Sequence, residues 1–415
     1  MTEERPSYSA LLRNRSFASL WAAQVISQSG DAVFDVALMW LVLVTTGSTA
    51  LVGLTQAAVL VPSVLCAPVA GVYADRLNRR NLMIVSNLVQ GVVTAAIALL
   101  YVTASLSYSI LIVFVLLLYT GNQFFRAANS AIIPRIASRE DLPAANSLFM
   151  LSTSANQLAS YATGGVIIVV LGTAFPITYD SVTFFLAAAL LTFVAKSYGQ
   201  VKGGSTSGDI AGEKSFGQDF REGLAYVTGA KIFRQLLMMG LLVNFLGAGV
   251  IALLAPYTKF WIHGNASIYG FTLASYALGN IVGSIFLGKV NYRDYVGRLL
   301  FIGVIGFGIL LVGAGLVTSV PLALVIFCLL GLAQAVVNQP IQVLVQTQVP
   351  GELLGRTVTV MGAVLTASQP IAAVLSGWLA GATSIGTVYL GFGAAMALVA
   401  VAFYLPFSDL RQARY

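Results

Sequence analysis

Apolar runs of about 20 residues, each long enough to cross the hydrocarbon core of a bilayer as a helix, recur along the chain with short polar turns between them. Twelve spans are predicted, near residues 17–45, 50–73, 82–104, 107–132, 146–171, 178–197, 233–256, 267–289, 298–317, 320–347, 354–379 and 385–406. They divide six and six around residues 198–232. The first part of that segment, GQVKGGSTSGDIAGEKS, reads as a Gly/Ser-rich flexible linker. The second places Phe216, Phe220, Leu224 and Val227 on one face of an amphipathic helix, expected to lie on the cytoplasmic surface of the membrane. The predicted organisation is a six-helix bundle over 1–197, the linker segment 198–232, and a second six-helix bundle over 233–415. The halves also resemble each other: IIPRIASREDLPAAN and LVQTQVPGELLGRTV align at Glu140 and Glu352, with Leu142 matching Leu354. A six-span repeat that keeps its orientation fits two halves facing each other across a central path.

Polar residues interrupt this pattern in an ordered way. In the first span Gln24, Gln28, Asp31 and Asp35 follow spacings of 4, 3 and 4, so they stack on one helix face. An aspartate at the centre of a membrane helix costs about 2.5–3.5 kcal/mol on insertion scales, and Asp31 lies about 21 Å along the helix from Phe17, near mid-membrane. That face must meet protein or water, as a polar contact between helices or as a working site. Arg126 sits about 9 Å from the inner end of the fourth span. Snorkelling or pairing with Asp75 is expected there rather than a direct salt bridge to Asp31.

The C-terminal half has no acid or base well inside a span. It has amides instead: Gln334, Asn338, Gln342 and Gln346 recur every fourth residue along the tenth span, beside Gln339 and Pro340, which is expected to kink the helix. Tyr269, Thr272, Tyr276 and Asn280 form a second stripe in the eighth. Such groups suit an amphipathic ligand, or serve as polar glue between helices.

Composition sharpens the class. Of 415 residues 58% are hydrophobic and 9% charged, against about 25% charged in soluble proteins. The first span is too long, and too acidic at its centre, for a cleavable signal peptide. All 22 Lys and Arg except Lys259 and Arg126 fall in segments on the side of the N-terminus, which predicts cytoplasmic termini. The net charge of +7 then reflects topology and attraction to anionic lipid, with no support for nucleic-acid binding. Cys66 and Cys328 give no disulfide framework, and the single histidine, His263, gives no metal cluster. The stretch GSIFLGKV nearly spells a phosphate-binding loop, but Val290 stands where Ser or Thr belongs and no strand precedes it. No nucleophile constellation is visible, so neither an enzyme nor a cofactor or metal is expected.

The loop Gly71-Val72-Tyr73-Ala74-Asp75-Arg76-Leu77-Asn78-Arg79-Arg80-Asn81 resembles the signature between the second and third spans of the major facilitator superfamily, Gly-x-Leu-Ala-Asp-Arg-x-Gly-Arg-Arg/Lys. Tyr73 replaces the usual Leu. Asn78 replaces the second Gly, and Asn tolerates a left-handed turn. Gly71 is expected to permit close helix packing, Asp75 to accept hydrogen bonds from a helix N-terminus, and the arginines to pair with acids. The resemblance covers essentially the whole chain. RNRSFASLWAAQVISQSGD, PRIASREDLPAANSL and FGQDFREGLAYV are similar to the subgroup of macrolide and multidrug exporters, whose relatives include siderophore and lysophospholipid exporters. Two antiporter patterns do not carry over: Ser160-Tyr161 stand before Gly164-Gly165 where Gly-Pro is usual, and Gln123 precedes Arg126 in place of Arg-x-x-Gln-Gly.

The resemblance implies an all-α integral membrane fold of twelve transmembrane helices in two pseudo-symmetric bundles, multi-pass in the bacterial inner membrane and acting as a monomer. It implies export of amphipathic, macrolide-like molecules by proton antiport, hence antibiotic resistance, with substrate, protons and lipids as partners. On that reading Asp31 is the proton-coupling acid and Asp35 its auxiliary. Gln24, Gln28, Tyr269, Tyr276, Gln334, Asn338 and Gln342 meet the substrate, and Gly71, Asp75, Arg76, Arg79 and Arg80 form the gating motif. The alternatives are a lysophospholipid or siderophore exporter of the same fold, or a membrane receptor or scaffold that does not transport.

Overall fold

The computed structural model describes residues 8–200 and 216–414, and among these every regular element is helical. Span 1 is Arg15–Thr46, span 3 Arg79–Val102, span 4 Tyr108–Ile136, span 5 Leu142–Leu171, span 6 Ala174–Leu191, span 7 Lys231–Ala252, span 8 Ala266–Lys289, span 9 Arg293–Leu316, span 10 Val320–Gln348, span 11 Gly351–Ala382 and span 12 Ile385–Tyr404. Span 2 is a bent pair, Thr49–Leu65 and Ala67–Arg76, inclined by 46°. Counting it as one crossing gives the twelve spans that the apolar runs predict. The bend falls between Pro62 and Pro68, where missing backbone donors interrupt the helical ladder. Span 11 breaks at Ser368, two residues before Pro370. Span 10 instead runs through Pro340 as one helix to Gln348.

The chain forms two compact units, residues 1–42 with 58–204, and residues 43–57 with 205–415. In the first, Phe17, Leu20, Met83, Ile132, Phe149 and Leu191 share a buried core. Lipid gives helices no hydrophobic reason to associate, so close packing and hydrogen bonds hold them together. Trp21 Nε1 donates to Ser152 Oγ at 2.9 Å, joining spans 1 and 5. Ser181 Oγ donates to the Gly91 carbonyl at 2.8 Å, joining spans 6 and 3.

In the second unit, spans 8 and 10 approach backbone to backbone. A side-chain carbon on Gly279 would lie 2.7 Å from the Cys328 carbonyl carbon, and one on Gly331 2.8 Å from the Asn280 nitrogen. Residues 43–57 pack here too, with Thr49 Oγ1 donating to the Gly377 carbonyl at 2.8 Å. The Tyr257 ring lies 5.4 Å from Phe327 and 4.7 Å from Tyr389. Its hydroxyl donates to the Ala314 carbonyl and that of Tyr389 to the Val250 carbonyl, so the polar tips are satisfied. The linker residues 201–215 lie outside the described residues. The amphipathic segment is a helix, Phe216–Gly229, with Val227 fully buried. It packs on the start of span 11, where Glu222 pairs with Arg356 at 2.8 Å.

Candidate functional site

Spans 1, 3, 4, 5 and 6 of the first unit line a cavity of about 560 Å³. Gln24, Gln28, Asp31 and Asp35 all lie on its wall, so the face predicted from their spacing exists and meets other helices rather than lipid. The two amides are tied to neighbours: Asn129 Nδ2 donates to Gln24 Oε1 and Thr153 Oγ1 to Gln28 Oε1, each at 3.0 Å. Asp35 accepts a hydrogen bond from the Tyr119 hydroxyl. Asp31 opens to the cavity with no hydrogen bond or ion pair among the described residues. Asn122, Asn156, Gln157, Tyr161, Phe125 and Phe184 complete a wall that mixes amides with aromatic surface. The cation on this wall is Arg126, which is exposed. The predicted pairing with Asp75 is not made, because Asp75 bonds Arg79 instead.

A third acid, missed in the sequence, stands behind this wall. Asp180 of span 6 is fully buried, and neither carboxylate oxygen has a hydrogen-bond partner among the described residues. Span 1 closes on it at Gly30, where a side-chain carbon would come within 2.5 Å of Asp180 Oδ1. The predicted span began at 178, leaving Asp180 at the edge. Gly172, at φ +80°, ends span 5, and the next helix starts at once at Ala174, so Asp180 is about 9 Å inside it. The rule that singled out Asp31, an acid inside an apolar run, would have found it with the correct start. Among the described residues, six of the eight buried polar side-chain atoms without partners belong to Asn87, Gln90, Asn129 and Asp180. Each such group costs about 1–3 kcal/mol, and most of them are concentrated on or behind this cavity wall.

A sequence profile of the family described as transmembrane secretion effectors, a branch of the major facilitator superfamily, matches residues 6–414. The chain belongs to this family. It is 25% identical over 393 residues to the multidrug efflux pump Tap of Mycolicibacterium fortuitum, covering 92% of this chain and 94% of that one. Its identity to macrolide efflux protein A of Streptococcus pyogenes is 22% over 389 residues, covering 93% and 94%. Its fold is like that of a bacterial homologue of the human lysosomal transporter Spinster, solved in an inward-facing, unoccupied conformation: TM-score 0.73, 16% identity, 97% of this chain and 98% of that one. It is thus a multi-pass membrane protein of a transporter family.

The signature loop of this major facilitator protein is built differently from the expectation. Asp75 is exposed and pairs with Arg79 at 3.5 Å rather than capping a helix. Arg79 also donates to the carbonyls of Ala74 and Ala131, tying the end of span 2 to span 4. Asn78 is not left-handed: at φ −63° and ψ 110° it caps span 3, accepting from the Asn81 N–H at 3.1 Å. Arg80 is buried and donates to the carbonyls of Leu191 and Thr192, at 3.1 and 2.6 Å, closing the end of span 6. Arg76 is exposed, and a side-chain carbon on Gly71 would meet no atom within 4 Å, so no close packing depends on it.

In the second unit, Gln334 donates to Asn338 at 3.0 Å, and Asn338, Gln342 and Gln346 form an exposed polar face of span 10. The span 8 stripe mostly packs. Tyr269 is 5% exposed, Thr272 is buried and bonds its own helix at Ile268, and Tyr276 is half-buried. A Tyr at a helical spacing fills a core as readily as it lines a path, and here Tyr269 does the former.

Proposed function

We propose that the chain exports amphipathic small molecules of the macrolide or multidrug kind from the bacterial cytoplasm, by alternating access, in exchange for protons. Asp31 is the coupling acid and Asp35 an auxiliary. The observation that carries this reading is Asp31 itself, a carboxyl inside the membrane, open to a cavity and without a hydrogen bond or ion pair among the described residues. Such a group can take a proton when the cavity meets one side and give it up when it meets the other. The amide and aromatic wall suits a ligand with a large apolar surface and scattered polar groups. The Lys and Arg distribution supports an inner-membrane protein with both termini cytoplasmic. Names of the similar proteins support drugs as the cargo.

Each pH unit of gradient supplies about 1.4 kcal/mol per proton, enough for about tenfold accumulation at one-to-one exchange. The test is uptake of a macrolide into inverted vesicles with an imposed pH gradient. Wild type is expected to accumulate it. Asp31→Asn, fixed in a neutral form, is expected to bind it and to keep counterflow without accumulation. Accumulation by Asp31→Asn at the wild-type level would remove Asp31 from the coupling role, and absence of counterflow in wild type would favour a receptor or scaffold.

A further inference from the structure

We infer that Asp180 is an occluded proton site behind Asp31, the place where a proton taken up from the cavity rests while it is shielded from water. The inference builds on the antiport reading and adds a residue to it.

Three observations converge. Asp180 has no exposed surface, and both of its carboxylate oxygens lack partners among the described residues. An ionised carboxylate in that position would be a buried charge with nothing to compensate it, so the group must carry something that neutralises it. Gly30, the residue before Asp31, is in contact with it, and a methyl group there would overlap Oδ1. The acid that meets the cavity and the acid that does not are thereby held on facing helices one residue apart. Asn87, also fully buried, has both amide atoms unpartnered and lines the same cavity as Asp31. It can donate to a carboxylate and accept from a carboxylic acid, as a site that alternates between the two forms requires.

The titratable and charged groups around Asp180 fit a proton better than a metal cation. Span 1 contributes Asp31 and Asp35, which act on it electrostatically, and span 4 contributes the Tyr119 hydroxyl. Tyr161 of span 5 faces Asp35, and Arg126 lies on the cavity wall. Span 3 offers the amides of Asn87 and Gln90. Among the described residues no three acid, histidine or cysteine side chains converge as metal ligands. In the proposed step the O–H bond on Asp31 breaks as one forms on Asp180. Asp31 is left as carboxylate and the charge of the pair is unchanged; the reverse transfer returns the proton to the cavity. Two neighbouring acids that cannot both be ionised keep one proton between them.

The test is infrared difference spectroscopy of the full chain in lipid, in water and deuterium oxide, across a pH titration. Wild type is expected to show a protonated carboxyl band that exchanges slowly with deuterium and persists in Asp31→Asn. Asp180→Asn is expected to remove it, to lose about tenfold accumulation per pH unit, and to keep counterflow. Gly30→Ala, which displaces the carboxyl without removing it, is expected to shift the band and supplies the test should Asp180→Asn fail to fold. A slowly exchanging band unchanged in both variants would overturn the proposal, as would its loss on adding sodium at constant pH, which would make the occupant a metal cation. If the band behaves as expected while Asp31→Asn still accumulates substrate, the antiport assignment fails and the buried proton stands. If the band is absent while Asp31→Asn abolishes accumulation, the antiport assignment stands and Asp180 is structural.

Discussion

The two units spend their polar residues in opposite ways. In the first, acids and amides surround a cavity and several buried polar atoms are left without partners. In the second, glycines bring backbones together, the Tyr257 and Tyr389 hydroxyls are satisfied by carbonyls, and among the described residues acids and bases occur only near span ends. Among the described residues the second unit leaves two such atoms, Trp261 Nε1 and Thr357 Oγ1, against six on or behind the cavity wall of the first. The two units thus share a helical architecture and differ in chemistry: the first holds titratable groups within its spans, and the second presents a neutral polar face on span 10.

The largest expected effect separates the two halves directly. Asp31→Asn should lose accumulation by about tenfold per imposed pH unit. Replacing Gln334, Asn338 and Gln342 together by Ala should change which substrates are exported while leaving the proton dependence intact. Equal loss of proton dependence in both variants would break the contrast.

A smaller effect divides the signature loop. Arg80→Ala removes two charge-assisted hydrogen bonds to the end of span 6 and should cost about 1.5–3 kcal/mol of stability, read as earlier thermal unfolding in detergent. Asp75→Asn, at an exposed ion pair, should change stability by no more than about 0.5 kcal/mol while slowing turnover. Should Asp75→Asn unfold as early as Arg80→Ala, the division between a structural arginine and a gating acid would fall. Tyr119→Phe takes away the hydrogen bond to Asp35, worth about 1 kcal/mol. Turnover should change by less than about tenfold with uphill transport kept, and complete loss would make Asp35 an equal partner of Asp31.

The smallest effect lies in the second unit. The hydrogen bond from Lys231, at 2.7 Å, holds the Asp409 carboxyl below its ordinary value of 3.8. A group depressed in this way contributes stability above its unfolded pKa and loses it as pH falls through the folded one. The short helix Ser408–Arg411 should therefore be protected from proteolysis at neutral pH and released in acid, and Asp409→Asn should erase that dependence without altering transport. Protection that does not vary with pH would show that Leu410, whose N–H bonds Gln235 at 2.9 Å, holds the helix alone.

Much of this was legible in the sequence because a bilayer demands long apolar helices and forbids a polar face toward lipid. The twelve spans and the stripe from Gln24 to Asp35 follow from those rules. What escaped depended on tertiary detail. Asp180 was hidden by an error of a few residues at the start of span 6, since apolar content does not mark where a helix begins. Asn78 stands where the family has Gly, and the substitution concealed its use as a helix cap. Tyr269 was placed in a binding stripe because periodicity identifies a face without saying what covers it. The segment 43–57 is continuous with spans 1 and 2, yet it packs with the second unit through Thr49 and Gly377, a preference that local sequence does not carry.

Proton release on substrate binding tests the central assignment most directly. Purified protein in weakly buffered detergent, at a pH low enough that wild type has taken up its proton, is titrated with a macrolide while proton release and binding are followed together. Wild type and the variant with Gln334, Asn338 and Gln342 replaced are expected to release protons in proportion to bound ligand, and Asp31→Asn to bind without release. Release from Asp31→Asn equal to that of wild type would place the coupling proton elsewhere.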